Sequence, residues 1–538
     1  MTLKKINAIL AAIAVMTMFA TSCTDDVLDK DGTNSDGQEQ VDPQNPGEGE
    51  NPDNPDIPDT PEAPEMTYDV SVSGIEPSYD LTIYEELEIE PVVKIEAIEK
   101  PKADLTLTSE KEFSNDTPVV TYEWKVGESI VSDKASMKFK SKTEGEFDAS
   151  FKVTVEGVEP VVFNFKITAH NYGKGLVLLS DIGEGTILTF KDIEKPEAPA
   201  DVNVFENSTS NKVMASIGCD IDWFGAYLTK FNEGIGENDL DIIVTTNSPA
   251  KIYILDPATF NVKYIIDPAS QADKIVIPYA YQSQPFGNQI ACFAGDNREQ
   301  ILSNSYQMVR SNISSATYEL DNFGCSVFTG SESVKVYFDK KWKKLLYYPS
   351  MLDGDAPGDN QLGDMLYLSG CAGEYDANTY MPYRVLAVTS KDGKVRISDV
   401  VPIDIFNYEE TIENDFKDID QIPLDAAFHA HPIEPVLYYS KNNELWSVNY
   451  KTKTFSSQAI LTLPANYVIK AITMNVYSPN IIYIAAENES ATDTAKAALA
   501  AYDISNGAKR IFFTENAGGK VCALTYKGDG KENSAIAN

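Results

Sequence analysis

The chain reads as an all-β protein, an immunoglobulin-like sandwich followed by a β-propeller, and three observations lead there. Between Met66 and Ala169 hydrophobic residues recur with period two, the mark of strands with one buried face. From Tyr172 onward the pattern changes to short, almost wholly apolar runs that come in twos and threes along the chain. Asn-Gly and Asp-Gly pairs stand between such runs, where tight hairpins need left-handed backbone.

The first segment is not part of that fold. Lys4 and Lys5 precede an uncharged apolar run from Ile6 to Ala20, which gives residues 1–22 the layout of a secretory signal peptide. At 15 residues the run is shorter than the roughly 20 a spanning helix needs. Ala20-Thr21-Ser22-Cys23 resembles a bacterial lipoprotein cleavage box. The resemblance implies cleavage after Ser22 and lipid on Cys23, and more than one acyl chain there makes a stable membrane anchor. Asp25-Asp26 resembles the acidic signal that sends some Gram-negative lipoproteins to the outer face of the outer membrane, which is the location expected.

Residues 23–65 predict a disordered tether. From Thr24 to Glu65 there are fourteen Asp and Glu against one Lys and no apolar periodicity. Pro52, Pro55, Pro58, Pro61 and Pro64 fall at every third residue, the polyproline II repeat, so this end is stiff and extended. At about 3.1 Å per residue the segment reaches up to roughly 130 Å. Taking away the tether's −13 and the leader's +2 from a net charge of −38 leaves −27 on residues 66–538. Such a surface repels nucleic acid and anionic headgroups, so neither is an expected partner.

Residues 66–170 predict the sandwich. Phe147, Ala149, Phe151, Val153 and Val155 alternate with polar residues, and Val161, Phe163, Phe165 and Ile167 do so after the turn at Glu156 to Pro160. Tyr122, Trp124 and Val126 share one face of a further strand, and one central Trp among about 105 residues of such strands fits an immunoglobulin-like sandwich.

Ser73-Gly74-Ile75-Glu76, the Tyr-x-Trp within Val119 to Val126, Gly145-Glu146-Phe147 and Lys174 to Ser180 together resemble the PKD-like family lipoproteins of Gram-negative anaerobes. The resemblance implies a lipid-anchored PKD-like module leading into a larger repeat domain, with a part in capturing glycan or peptide beside outer-membrane importer components.

Residues 171–538 predict the propeller. Ile242–Thr245 precedes Lys251–Asp256; Val436–Tyr439 precedes Leu445–Asn449 across Asn442-Asn443; Ile481–Ile484 precedes Ala500–Asp503, which turns at Asn506-Gly507 into Ile511–Phe513. Leu345–Tyr348 and Leu386–Thr389, the latter turning at Asp392-Gly393, are further copies. Landmarks recur at about 45 to 60 residues, close to the roughly 40 to 50 of four-stranded blades with loop insertions added. The length favours seven blades, with six or eight as alternatives. Lys520–Tyr526 is one unpaired strand, and Gly175–Ser180 opens the domain without an outer partner, so pairing the two would close the ring.

Chemistry is sparse. There is no Gly-x-Ser-x-Gly elbow, His-Glu-x-x-His helix or phosphate-binding Gly-rich loop, and only His170, His429 and His431 could serve as imidazole bases. No cofactor is expected. His429 and His431 are two apart on extended backbone, the spacing of a metal pair. Asp353, Asp355, Asp359 and Asp364 partly follow a calcium loop, although Pro357 stands at its fifth position and Asp364 replaces the usual Glu at the twelfth. Trp342, Tyr347, Tyr348, Trp223 and Phe224 are candidates for stacking on a sugar or peptide. Besides Cys23, the five cysteines are widely spaced with no Cys-x-x-Cys pair; outside the cytoplasm one disulfide could form, but spacing does not choose its partners. The expectation is a non-enzymatic surface lipoprotein for nutrient capture. The alternatives are a structural or adhesive protein that binds a membrane partner without cargo, and a hydrolase whose two carboxylates come from different blades.

Overall fold

The computed structural model describes residues 66–99, 118–209 and, with gaps at loops as far as residue 408, 212–528. The leader, Cys23 and the tether lie outside the described residues.

The first nine strands build a β-sandwich. Ser78–Thr82, Val161–His170, Gly145–Val155, Val120–Val126 and Ser129–Ser132 form a five-stranded sheet in that spatial order. Ser78–Thr82 runs parallel to Val161–His170, and the remaining pairs are antiparallel. Met66–Ser73 pairs with Val92–Glu99, and Leu87–Ile89 with Met137–Phe139. The alternation in the sequence becomes alternation in burial. Ala149, Phe151, Val153 and Val155 face inward while the residues between them reach solvent. Trp124 lies fully buried on Phe151 with ring centroids 4.1 Å apart and meets Phe165 edge-on at 6.2 Å. Its indole N–H donates to the Lys134 carbonyl at 2.9 Å, so burying the ring leaves no polar group unpaired.

Seven sheets follow among the described residues, one per blade. Blade one orders Lys520–Lys527, Gly175–Asp181, Thr186–Asp192 and Asp201–Val202 from the channel outward. Blade two comprises Ile217–Phe224, Asp241–Asn247, Lys251–Leu255 and Val262–Ile266; blade three, Ala280–Gln282, Ile290–Ala294, Arg298–Leu302 and Met308–Ser311. Blade four has Leu320–Phe328, Ser333–Asp339 and Lys344–Tyr348; blade five, Asp364–Tyr375, Pro382–Lys391, Lys394–Val401 and Thr411–Ile419. Blade six begins Phe428–Ala430, Val436–Lys441 and Glu444–Asn449, with two short outer strands, and blade seven is Tyr467–Asn475, Ser478–Asn488, Ala497–Asp503 and Lys509–Thr514. The first strand of every blade packs against the first strands of the blades on either side, and blade seven's meets blade one's, so the ring is closed.

The closing strand is Lys520–Lys527, antiparallel to Gly175–Asp181. It joins on the channel side of that strand, whereas the sequence suggests a missing outer partner. The outward positions are taken by the next two strands of blade one, so the one free edge faces the channel.

Blade strands are buried on both faces because each blade is covered by a neighbour on either side. Leu176, Val177, Leu178 and Leu179 are all fully buried, as are Val385 to Val388 in blade five.

The joint between sandwich and ring is packed and hydrogen-bonded. Tyr172 stands edge-on to Phe190 and Phe260, at 5.1 and 4.9 Å. Its amide donates to the Ala258 carbonyl at 2.8 Å and its hydroxyl to Asp201 at 2.5 Å. Tyr84 of the sandwich donates to Asn261 Oδ1 at 3.3 Å. Lys527, almost fully buried, donates to the Tyr172 carbonyl at 2.9 Å and to that of Gly173, so the closing strand also clamps the linker.

Candidate functional site

Consecutive blade strands alternate in direction, so every third strand starts at one end of the ring and finishes at the other. Ala258 and Asn261, which bind the sandwich, follow the third strand of blade two. The opposite end, where third strands begin, carries a charged hollow of about 590 Å³ on blade five.

The hollow is built on a two-residue hairpin. Lys391 pairs with Lys394 across Asp392-Gly393, both of which have positive φ, 52° and 76°. Asp and Gly tolerate that backbone, and the turn sets a lysine on each side of the opening. The wall is the outer strand Thr411–Ile419, where Asp415 is the hub. Arg396 Nε and Nη2 donate to its two carboxylate oxygens at 2.7 and 2.9 Å, the fork geometry suited to guanidinium. Lys417 Nζ lies 2.9 Å from Asp415 Oδ2. Burial by itself would raise the Asp415 pKa, but the bonds and charges of Arg396 and Lys417 outweigh it and hold the carboxyl below its ordinary value.

Blade four contributes through its turn at Lys343. Leu362, which lines the hollow, donates its amide to the Lys343 carbonyl at 2.8 Å, and Lys343 ion-pairs with Asp364. This brings up the blade-four turn, where Lys340, Lys341, Lys343 and Lys344 flank Trp342. Trp342 is partly exposed, with Lys341 Nζ 5.0 Å above its ring. On a body of charge −27, these two turns gather cations beside an accessible aromatic face.

The volume suits a small-molecule site, but such pockets are mainly apolar and this lining is mainly charged. It fits a hydrated, polar ligand better than an oily one.

The other sequence candidates are placed as follows. Trp223 and Tyr347 are core residues, each 2% exposed, and neither can stack on a ligand; this corrects their expected role. Trp223 packs on Tyr526 at 6.0 Å, and Tyr347 donates its hydroxyl to Glu410 at 2.7 Å. They lie in strands covered on both faces, so alternation does not bring them out. Phe224 and Tyr348 end strands, and their side chains lie outside the described residues, as do Asp353, Asp355 and Asp359. Asp364 is exposed and engaged with Lys343. His431 Nδ1 accepts the amides of Ile433 and Glu434 at 3.0 and 2.8 Å, which commits that nitrogen to a loop and leaves it unavailable to a metal. Burial, with His431 nearby, pushes His429 down to about 4. Among the described residues no group of three or more His, Cys, Asp or Glu is placed to hold a metal.

The far end of blade five holds a second charged cluster. Asp399, with no exposed surface, accepts from Arg384 Nε at 2.6 Å and Asn414 Nδ2 at 2.8 Å, and Arg384 also pairs with Glu413. It ties three strands together inside the blade, and its acceptor oxygens are spent on that task.

No protein-family model matches the chain, and no curated protein matches it. Among solved structures it is similar to a quinoprotein alcohol dehydrogenase-like protein from Bacteroides thetaiotaomicron, at 14% identity and TM-score 0.43, covering 84% of this chain and 96% of that one. A proposed 6-phosphogluconolactonase from Bacteroides fragilis shows 9% identity and TM-score 0.40 over 66% and 98% of the two chains. The WD40 domain of SCAP from fission yeast shows 10% and 0.31 over 58% and 74%. These scores are low, so the seven-bladed ring rests on its strand pairing, and no activity follows from the similarities.

Proposed function

We propose that this chain is a lipid-anchored cell-surface binding protein, accessory to nutrient capture at the outer membrane, with a glycan or a peptide as cargo. One observation carries the reading: the sandwich holds the end of the ring opposite the charged hollow. Lipid on Cys23, with the acidic segment 23–65 leading into the sandwich, would leave the hollow and Trp342 free to meet a ligand in the medium. A lining of lysines, Arg396 and aspartates favours a hydrated ligand, and Trp342 adds a flat face for a sugar ring or a peptide side chain. Asp415, kept ionised between two cations, has no proton to give, so it suits recognition better than the general-acid step of a glycosidase.

The test is a glycan and peptide array probed with the full-length protein in detergent, beside a variant carrying Lys391→Glu and Lys417→Glu. The expected result is retention of one polysaccharide or peptide class, unchanged in mass after incubation, with affinity lowered about tenfold by the charge reversals, or roughly 1.4 kcal/mol. Equal retention by the variant, no retention on either array, or release of cleaved product would each refute the reading. Alkyne fatty-acid labelling that is lost in Cys23→Ser tests the anchor separately.

A further inference from the structure

Two cysteines occupy matching places on neighbouring channel strands. Cys219 is the third residue of blade two's first strand, and Cys522 is the third residue of blade one's closing strand. Both are the extra residue of a β-bulge. In blade two the pairing passes from Gly218↔Thr246 to Asp220↔Thr245, and in blade one from Leu179↔Ala523 to Ser180↔Val521. A bulge turns its extra side chain out of the regular alternation. The local contacts also match: Cys219 Sγ lies 3.9 Å from the Ile217 carbonyl, and Cys522 Sγ 3.7 Å from that of Lys520, each two residues back.

The two strands are close at this level. Cys522 interacts with the main chain of Gly218, the residue before Cys219. Gly218 itself sits where a Cβ would come within 2.8 Å of Leu179, so blade two packs tightly on blade one beside the bulge. Both cysteines are partly exposed. The other two described cysteines, Cys325 and Cys371, also sit on neighbouring channel strands and within reach of each other's charge, but neither is the extra residue of a bulge. Both are buried and regularly paired, and the Cys371 thiol lies 3.8 Å from Asp399.

We propose that Cys219 and Cys522 form a disulfide that staples the closing strand to blade two when a donor disulfide is supplied. One cysteine thiolate attacks a sulfur of the donor disulfide and releases one donor thiol. The second cysteine thiolate then attacks the mixed disulfide and releases the other. The protein thiols lose two electrons and two protons, and the donor is reduced to two thiols. Burial raises the free Cys219 thiol to about 12 and Cys522 to about 11, so thiolate is scarce once the ring is packed. The exchange is fastest while the last strand is docking, and the product then fixes the ring's one non-covalent seam. Export matters only for where a donor is met; the bridge itself rests on the facing bulges.

The full-length protein is reduced, unfolded, and refolded with oxidised glutathione, then alkylated, digested and mapped. The expected result is a peptide pair joined through Cys219 and Cys522, the loss of two alkylatable thiols, and a higher unfolding temperature than the reduced chain. Cys522→Ser should lose both the cross-link and the shift. Two free thiols, two separate glutathione adducts, or a bridge between any other pair would overturn the proposal. A bridge formed with glutathione but absent from protein alkylated directly in the cell envelope would uphold the pairing and count against export.

Discussion

The sandwich strand Gly145–Val155 and the blade strand Gly175–Asp181 are both edgewise-paired antiparallel strands, yet they bury their side chains differently. The first alternates between core and solvent along its length, while the second is buried at six consecutive residues. A sandwich has two layers, so each sheet has one wet face. A blade stands between two others and has none. Hydrophobic pattern therefore reports how many sides of a strand are covered as well as that it is a strand.

Aspartate substitutions along the two strands would test that contrast most severely. Val177→Asp and Leu178→Asp, on opposite faces of the blade strand, should each cost more than about 4 kcal/mol in denaturant unfolding. In the sandwich, Phe151→Asp should do likewise, while the adjacent Lys152→Asp should stay within about 0.5 kcal/mol. A tolerated change at either blade position would mean that one face of that blade is not covered.

Trp124→Ala sharpens the comparison from the sandwich side. Removing the ring that packs on Phe151 and Phe165 should cost about 3–5 kcal/mol. Hydrogen exchange should show the loss concentrated in residues 120–170, with protection in blades four to six kept.

A smaller effect than the core substitutions comes from pH and belongs to the ring. His429 is pushed down from 6.5 to about 4 by burial, so the folded state disfavours the charged ring. A lowered folded pKa means its stabilising contribution is complete above the unfolded value and is lost as pH falls from 6.5 toward 4. The loss should be on the order of 2 kcal/mol, seen in blade six and reduced in His429→Gln. An unchanged slope in that variant would assign the titration elsewhere.

Much of the architecture could be read from residues. Period two located the sandwich and its central Trp124, and the apolar doublets with Asp392-Gly393 and Asn506-Gly507 located blade hairpins. The hollow was less legible. Its signal was present in the lysines around Trp342 and at either side of Asp392-Gly393, unusual in so acidic a chain. Asp415, however, meets Arg396 only through a bulged pairing between two strands, and no local pattern announces that register. Trp223 and Tyr347 misled for a related reason: a strand sealed on both faces gives an aromatic residue no outward side.

By itself the sequence determined strand content, the change from one covered face to two, the turns, and the charge, because these depend on residues near one another along the chain. The tertiary structure decided which strand lines the channel, which end of the ring the sandwich occupies, and which distant side chains meet around Asp415 and at the Cys219 and Cys522 bulges. Those outcomes depend on contacts between residues as far apart as blade one's two halves, and they exist only once the ring has closed.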